Sequence, residues 1–261
     1  MNYLHKFIRG VVLPSISKRP LCCVTCKRNY SDAAESVEEK ISLTTPAHVK
    51  LPPKTGKINK QKFDYFLVLD FEATCDSPKT VVPQEVIEFP VLKVNSESFE
   101  TDSVFHSYVR PVVNPELTKF CTQLTGITQE VVDNQPIFED VFEKFHTWMQ
   151  EEKLLERNTK IAFVTVGDWD LKYLFPMQCK GLRLPVPDFM KSWINLKVSF
   201  AEMTTVYPRN MVTMMKYCQL EHEGRLHSGI ADCKNIARVL KDLAERGLVY
   251  ELNGGLVKHG Y

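Results

Sequence analysis

The 261-residue chain has no run of eighteen apolar residues, so no segment reads as a membrane-spanning helix. Net charge is missing too: 33 Lys and Arg stand against 32 Asp and Glu. That balance excludes a histone-like polycation and an acidic disordered chain. The eight cysteines are scattered through a chain long enough to bury a core, and they read as buried or incidental thiols of a reducing compartment. The lone CxxC, Cys23-Val24-Thr25-Cys26, lacks the second pair that a four-ligand zinc site needs. No internal repeat is present. What is there, 44% hydrophobic, 25% charged and 10% aromatic, describes one large folded domain plus extra sequence.

The most local absence is of acids in residues 1–31, which hold Lys6, Arg9, Lys18, Arg19, Lys27 and Arg28. Tyr3, Leu4, Phe7, Ile8, Val11 and Val12 form one helical stripe, with Lys6 and Arg9 off it, which predicts a basic amphipathic helix ending before Pro14. Arg9 and Pro14 interrupt the apolar stretch that a secretory signal requires. The pattern is that of a mitochondrial transit peptide, and Arg28-Asn29-Tyr30-Ser31 resembles a matrix-protease site. The expectation is import into the mitochondrial matrix with removal of 1–31; cytoplasmic or nuclear residence is the alternative. Residues 32–62, ending in a Pro-rich stretch with Lys54, Lys57, Lys60 and Lys62, are expected to be a flexible linker. The folded domain is expected over 63–250, followed by a tail over 251–261.

Tyr65 to Leu69 is a continuous apolar run of strand length ending at Asp70, as in a strand covered on both faces. Glu85 to Val94 and Phe99 to Val109 are extended stretches, joined by polar residues that predict an antiparallel hairpin. Pro136 is expected to open a helix with Phe138, Val141, Phe142, Phe145, Trp148 and Met149 facing inward. A strand over Lys160 to Val166 and a last helix over Ser228 to Arg246 follow. Together these predict an α/β domain with a mixed sheet. Trp193, Trp148 and Phe145 read as packing, and the Met203, Met211, Met214, Met215 stretch as a helix packed on the core. His106, His146 and His222 receive no role.

Acids recur where these elements end. Asp70 and Glu72 flank Phe71, and residues i and i+2 of an extended chain point the same way. Asp170 follows the 160–166 strand, with Asp168 as the competing acid; spacing alone does not choose between them. Asp232 lies in the first turns of the last helix, where the dipole favours an anion, and His227 precedes it by five residues. Each fragment is weak alone, but their order is specific.

Asp70-Phe71-Glu72-Ala73-Thr74-Cys75, Leu124-Thr125-Gly126-Ile127, Gly167-Asp168-Trp169-Asp170-Leu171 and His227-Ser228-Gly229 with Asp232-Cys233-Lys234-Asn235-Ile236-Ala237 resemble the Eri-type 3′–5′ exoribonucleases of the DEDDh superfamily. The branch it resembles most is the prion-interactor-like third member, over about Phe63 to Tyr250. Two departures stand out: no SAP-type module is expected ahead of the domain, and Ala231 stands where that branch often has a second acid.

The resemblance implies an RNase H-like fold, with a mixed five-stranded sheet flanked by helices. It also implies hydrolysis of single-stranded RNA 3′ ends to nucleoside 5′-monophosphates. DNA, or both nucleic acids, remains an alternative substrate, and a non-catalytic RNA- or partner-binding protein an alternative role. No membrane insertion is expected.

The residues suit that chemistry: four carboxylates can seat two hard dications, Mg2+ or alternatively Mn2+. Asp70 is expected to bridge the ions, Glu72 and Asp232 to hold the one on the attacking side, and Asp170 the one beside the leaving oxygen. The resemblance favours Asp170 over Asp168 for that place. His227 is the candidate general base, since an imidazole ordinarily titrates near neutral pH. The resemblance further implies that Phe120 and Trp169 sandwich the terminal base beside Leu124. Thr74, through backbone or hydroxyl, would meet the terminal sugar, with Glu72 and His227 also touching substrate. Core packing of Phe120 and Trp169 is the alternative reading.

Overall fold

A computed structural model of the chain describes residues 50–256. The leader, its CxxC, residues 32–49 and residues 257–261 lie outside the described residues.

The run Tyr65–Leu69 forms β1, and its side chains alternate between two cores, as a period of two dictates. Leu67 and Leu69 enter one core with Phe89, Phe142, Phe145 and Phe163. Phe66 and Val68 enter the other with Phe200, Met214, Ile236 and Leu240. Apolar residues on both faces require cover on both faces, and the helices provide it.

Glu72–Ala73 is β2, Val86–Asn95 is β3 and Thr101–Tyr108 is β4. β3 and β4 form the expected antiparallel hairpin. At its turn the Asn95 carboxamide oxygen accepts from the amides of Glu97 and Ser98. Two short helices follow, α1 (Lys119–Thr125) and α2 (Gln129–Asp133), then the long α3 (Phe138–Glu151). Pro136 was expected inside α3; the helix starts two residues later, with Ile137 as its cap.

Ile161–Thr165 is β5, and a π-helical turn, Trp169–Leu174, runs into α4 (Phe175–Leu182). Then come β6 (Ser192–Asn195), α5 (Leu196–Thr204), α6 (Met211–Cys218), α7 (Gly229–Glu245) and β7 (Gly254–Gly255). Strand order is β2-β3-β1-β5-β6-β7, with β4 on β3; β5 and β6 run parallel to β1's direction, while β3 opposes it. The sheet is mixed as expected but among the described residues has seven strands, not five. The two extra strands, β2 and β7, have two residues each, too short to leave a periodic trace.

Two segments placed outside the domain by composition pack on it. Residues 50–62 lie along the end of α7: the Thr55 amide donates to the Glu245 carbonyl at 2.8 Å. Asn59 reaches the Gly247 carbonyl and the Arg246 guanidinium the Pro52 carbonyl. Lys54 pairs with the buried Asp242 at 2.9 Å. The tail contributes β7 to the edge of β6. Among the described residues, no helix is long and apolar enough to cross a membrane.

Candidate active site

β1 pairs with Asn95 to Val91 of β3, and Glu72 of β2 resumes the same register opposite Glu88. Asp70 and Phe71 sit in the gap between β1 and β2. By that register Asp70 stands opposite Pro90, which has no N–H to give a ladder. The Phe71 amide donates to Asp170 Oδ1 at 2.9 Å. That bond draws together two acids a hundred residues apart, from the ends of neighbouring parallel strands. Asp168 is engaged elsewhere: its Oδ1 accepts from Trp193 Nε1 at 3.1 Å and Asn195 Nδ2 at 3.0 Å. The structure thus separates the two candidate acids that spacing could not.

α7 brings Asp232 to the same place. Its first turn has no cap from Ser228. Instead the buried carboxylate of Glu88 accepts from the amides of Gly229 at 2.9 Å and Ile230 at 3.1 Å. Any Cβ at position 229 would lie 2.6 Å from the Asp70 carbonyl oxygen, so glycine alone allows α7 to close on the end of β1. His227 lies in the exposed loop ahead of the helix with φ +60, a left-handed conformation uncommon for a side-chain-bearing residue. Its amide donates to Asp232 Oδ2 at 2.8 Å. Donor atoms of Glu72, His227 and Asp232 lie within 4.8 Å of one another.

Burial pushes the Asp70 carboxyl well above the carboxylate range, and the charges of Asp170, Asp232 and Glu88 push it further. Glu72 is raised well above its usual value for the same two reasons. Burial lifts Asp170 to about 6 against the opposing Phe71 amide, and lifts Asp232 against the hydrogen bonds of His222 and His227. A protein that encloses four mutually repelling carboxyls has a place for positive charge. Oxygen donors suit hard divalent cations, and the five free thiols of the described residues make no part of the donor cluster. The residues fit the divalent ions that the sequence resemblance implies.

Three neighbours escaped the sequence reading. Glu88 did leave a signal, a single acid inside the all-buried strand Val86–Val94. His222 Nε2 lies 3.2 Å from Asp232 Oδ1, correcting its dismissal; nothing in its local sequence announces this. His106, also dismissed, sits 2.8 Å from Glu88.

The proposed substrate residues are placed unevenly. Phe120 and Leu124 occupy one half-buried side of α1, whose Cys121 and Thr125 turn inward. Trp169 opens the π-helical turn and packs on the edge of the Phe-rich core. Among the described residues neither Phe120 nor Trp169 touches another aromatic ring, unlike the phenylalanines of the core. Thr74 is buried. Its amide donates to the Glu85 carbonyl at 2.8 Å and its carbonyl accepts from Gln84 at 3.1 Å, so its backbone is engaged. Its hydroxyl accepts from the Glu85 amide and keeps one proton to donate.

A mixed sheet with this convergence of acids is the architecture of the DEDDh nuclease domains. The exonuclease family model of the RNase T type matches residues 67–240, and the chain belongs to that family. The human protein named ERI1 exoribonuclease 3 is 52% identical over 206 residues, 78% of this chain and 59% of that protein. A rat 3′-5′ exoribonuclease 1 is 38% identical over 79% of this chain and 61% of its own length. The chain therefore spans about three-fifths of the curated relatives it matches. Among solved structures, the nuclease domain of 3′hExo, a DEDDh family member bound to rAMP, superimposes with TM-score 0.72 at 35% identity. That match covers 76% of this chain and all of the other. A second structure, described as 3′-end specific recognition of histone mRNA stem-loop by 3′-exonuclease, gives TM-score 0.73 at 33% identity over 78% of this chain and 72% of the other.

Proposed function

We propose that this chain is a metal-dependent 3′–5′ exoribonuclease that shortens single-stranded RNA from its 3′ end and releases nucleoside 5′-monophosphates. The observation that carries the reading is the meeting of Asp70, Glu72, Asp170 and Asp232 with His227, from three separate stretches of chain, in one oxygen-rich cluster. The names of the relatives support RNA over DNA.

Asp70, Glu72, Asp170 and Asp232 would hold two ions, Mg2+ or Mn2+. When bound, such cations supply charge neutralisation and polarise a phosphoryl oxygen. The exposed His227 imidazole accepts the proton of the attacking water, and its loop position leaves it free to return that proton to solvent. Phe120, Leu124 and Trp169 offer apolar surface to the terminal base, a mode tolerant of every base. The Thr74 hydroxyl faces the terminal sugar. We also propose that residues 1–31 direct import into the mitochondrial matrix. A fusion of residues 1–40 to a reporter tests this, and a diffuse cytosolic signal refutes it.

The enzymatic test is end-labelled single-stranded RNA incubated with the full chain and Mg2+ or Mn2+. Stepwise release of mononucleotides from the 3′ end is expected. Internal cuts, or undiminished activity of Asp70→Ala in EDTA, would overturn the mechanism. Tight RNA binding with no product under any metal identifies a binding protein instead. Matched ribo- and deoxyribo-oligomers separate a DNA-directed or dual enzyme by initial rate.

A further inference from the structure

The last carbonyls of any helix lack partners within it. In α1, Gly126 at φ +78 returns its amide to the Thr122 carbonyl, and the last turn carries no basic residue. The cation comes from elsewhere: Arg225 Nη2 donates to the Gln123 carbonyl at 2.5 Å and reaches towards the Leu124 carbonyl at 3.4 Å. Its partners lie about a hundred residues away in sequence, and among the described residues no carboxylate is within ion-pair distance of it. A Cβ at position 126 would sit 2.6 Å from Arg225 Nε and 3.0 Å from its Cδ. Gly126 is thus both the left-handed end of the helix and the slot through which the guanidinium passes.

The two ends of this clasp carry different duties. α1 bears Phe120 and Leu124; Arg225 stands two residues before His227. We infer that Arg225 is a positioning residue that fastens the base-facing helix α1 to the His227 loop, so that seating the terminal base also aligns the imidazole. A planar fork at a helix C-terminus combines hydrogen bonding with a favourable interaction with the dipole, which a flexible ammonium reproduces only in part. The inference rests on the nuclease reading and adds a residue to it.

The test compares the full chain with Arg225→Gln, Arg225→Lys and Gly126→Ala, in Mg2+, on two RNAs. One ends in an ordinary nucleotide, the other in an abasic ribose. For Arg225→Gln the KM for the ordinary end is expected to rise on the order of tenfold, the scale of one base stack. The abasic end, which has nothing to stack, is expected to change less than about twofold. Gly126→Ala should reproduce this pattern with the arginine charge intact, and Arg225→Lys should recover part of the loss. Equal losses on both RNAs that shrink with salt would make Arg225 a phosphate contact and overturn the inference, as would an Arg225→Gln enzyme indistinguishable from its parent. A parent chain that releases no mononucleotide from either RNA would sink the nuclease reading and this inference together. An active parent with an unaffected variant sinks the inference alone.

Discussion

Asp70 follows β1, Glu72 lies on β2 paired to β3, and Asp170 sits in the π-helical turn between β5 and α4, tied to the Phe71 amide. His227, Arg225 and Phe120 sit on loops or on a seven-residue helix and keep solvent access. The buried floor and the more exposed rim of the proposed site are thus built by different means. Confining like charges costs free energy, so the acids need a rigid, densely packed frame to stay where repulsion would part them. Groups that trade protons with water or clasp a leaving nucleotide need the opposite, a mounting that can yield.

Substitutions on each side sharpen this contrast. Asp70→Asn is expected to have the largest effect, exceeding that of removing the base, since the Asp70 carboxyl faces the charges of Asp170, Asp232 and Glu88 and in turn raises Glu72. Initial rates of mononucleotide release at saturating Mg2+ measure it, and a smaller loss than for His227→Ala would reverse the proposed ranking of floor and rim. His227→Ala should lower kcat by about 10²–10⁴-fold. Denaturant unfolding should change by no more than about 0.5 kcal/mol, as at other exposed positions. A large loss of stability would show that the rim is structural after all.

Gly229→Ala tests the seam between the two. The added methyl would press on the Asp70 carbonyl and lie 3.2 Å from Glu88 Oε2. Displacing that supporting contact is expected to cost about 10–100-fold in activity, the scale of an outer-sphere defect at a metal site. Unchanged activity would mean that α7 docks with more slack than the geometry implies.

A last expected effect concerns stability without metal. Burial raises Asp170 to about 6, so the folded chain holds that proton more tightly than the unfolded chain does. The penalty is absent at pH below the unfolded value and grows as pH rises through about 6. In EDTA, Asp170→Asn should therefore be more stable than its parent by on the order of 1–3 kcal/mol at pH 7, with the gap closing towards pH 4. Its Oδ1 can still accept the Phe71 amide. Thermal unfolding from pH 4 to 8 checks the sign, and a gap that widens on acidification would refute it.

The acids of the floor are legible in the sequence as candidates. Continuous apolar runs of strand length marked β1 and β5 and an extended stretch marked β3; acids stood just after β1 and β5, but only the resemblance favoured Asp170 over Asp168. β2, β6 and β7 were not legible: two residues become a strand only through the partner beside them, and the four of Ser192–Asn195 showed only Trp193 as a packing residue. Residues 50–62 looked like a tether since prolines and lysines cannot build a core; they need not, because α7 and Gly247 offer backbone and charge partners. The rim was harder. His222 and Arg225 owe their places to contacts across a loop and across about a hundred residues, which leave no local pattern. Thr74 illustrates the limit of motif reading: its position was evident, but the capture of its amide and carbonyl by Glu85 and Gln84 was not.

Glu88 has one further consequence. By accepting from Gly229 and Ile230, it satisfies the positive pole of α7 from within the protein. An open helix start beside a nucleic acid would attract any phosphate, whether substrate, product or bystander. Here that pole is shut, so on the proposed reading affinity for the strand's phosphates would come from dications held by the acids. Thermodynamic linkage then requires strand and dication to strengthen each other's binding by the same factor. On the proposed reading, the chain would grip its strand more weakly where divalent cations are scarce.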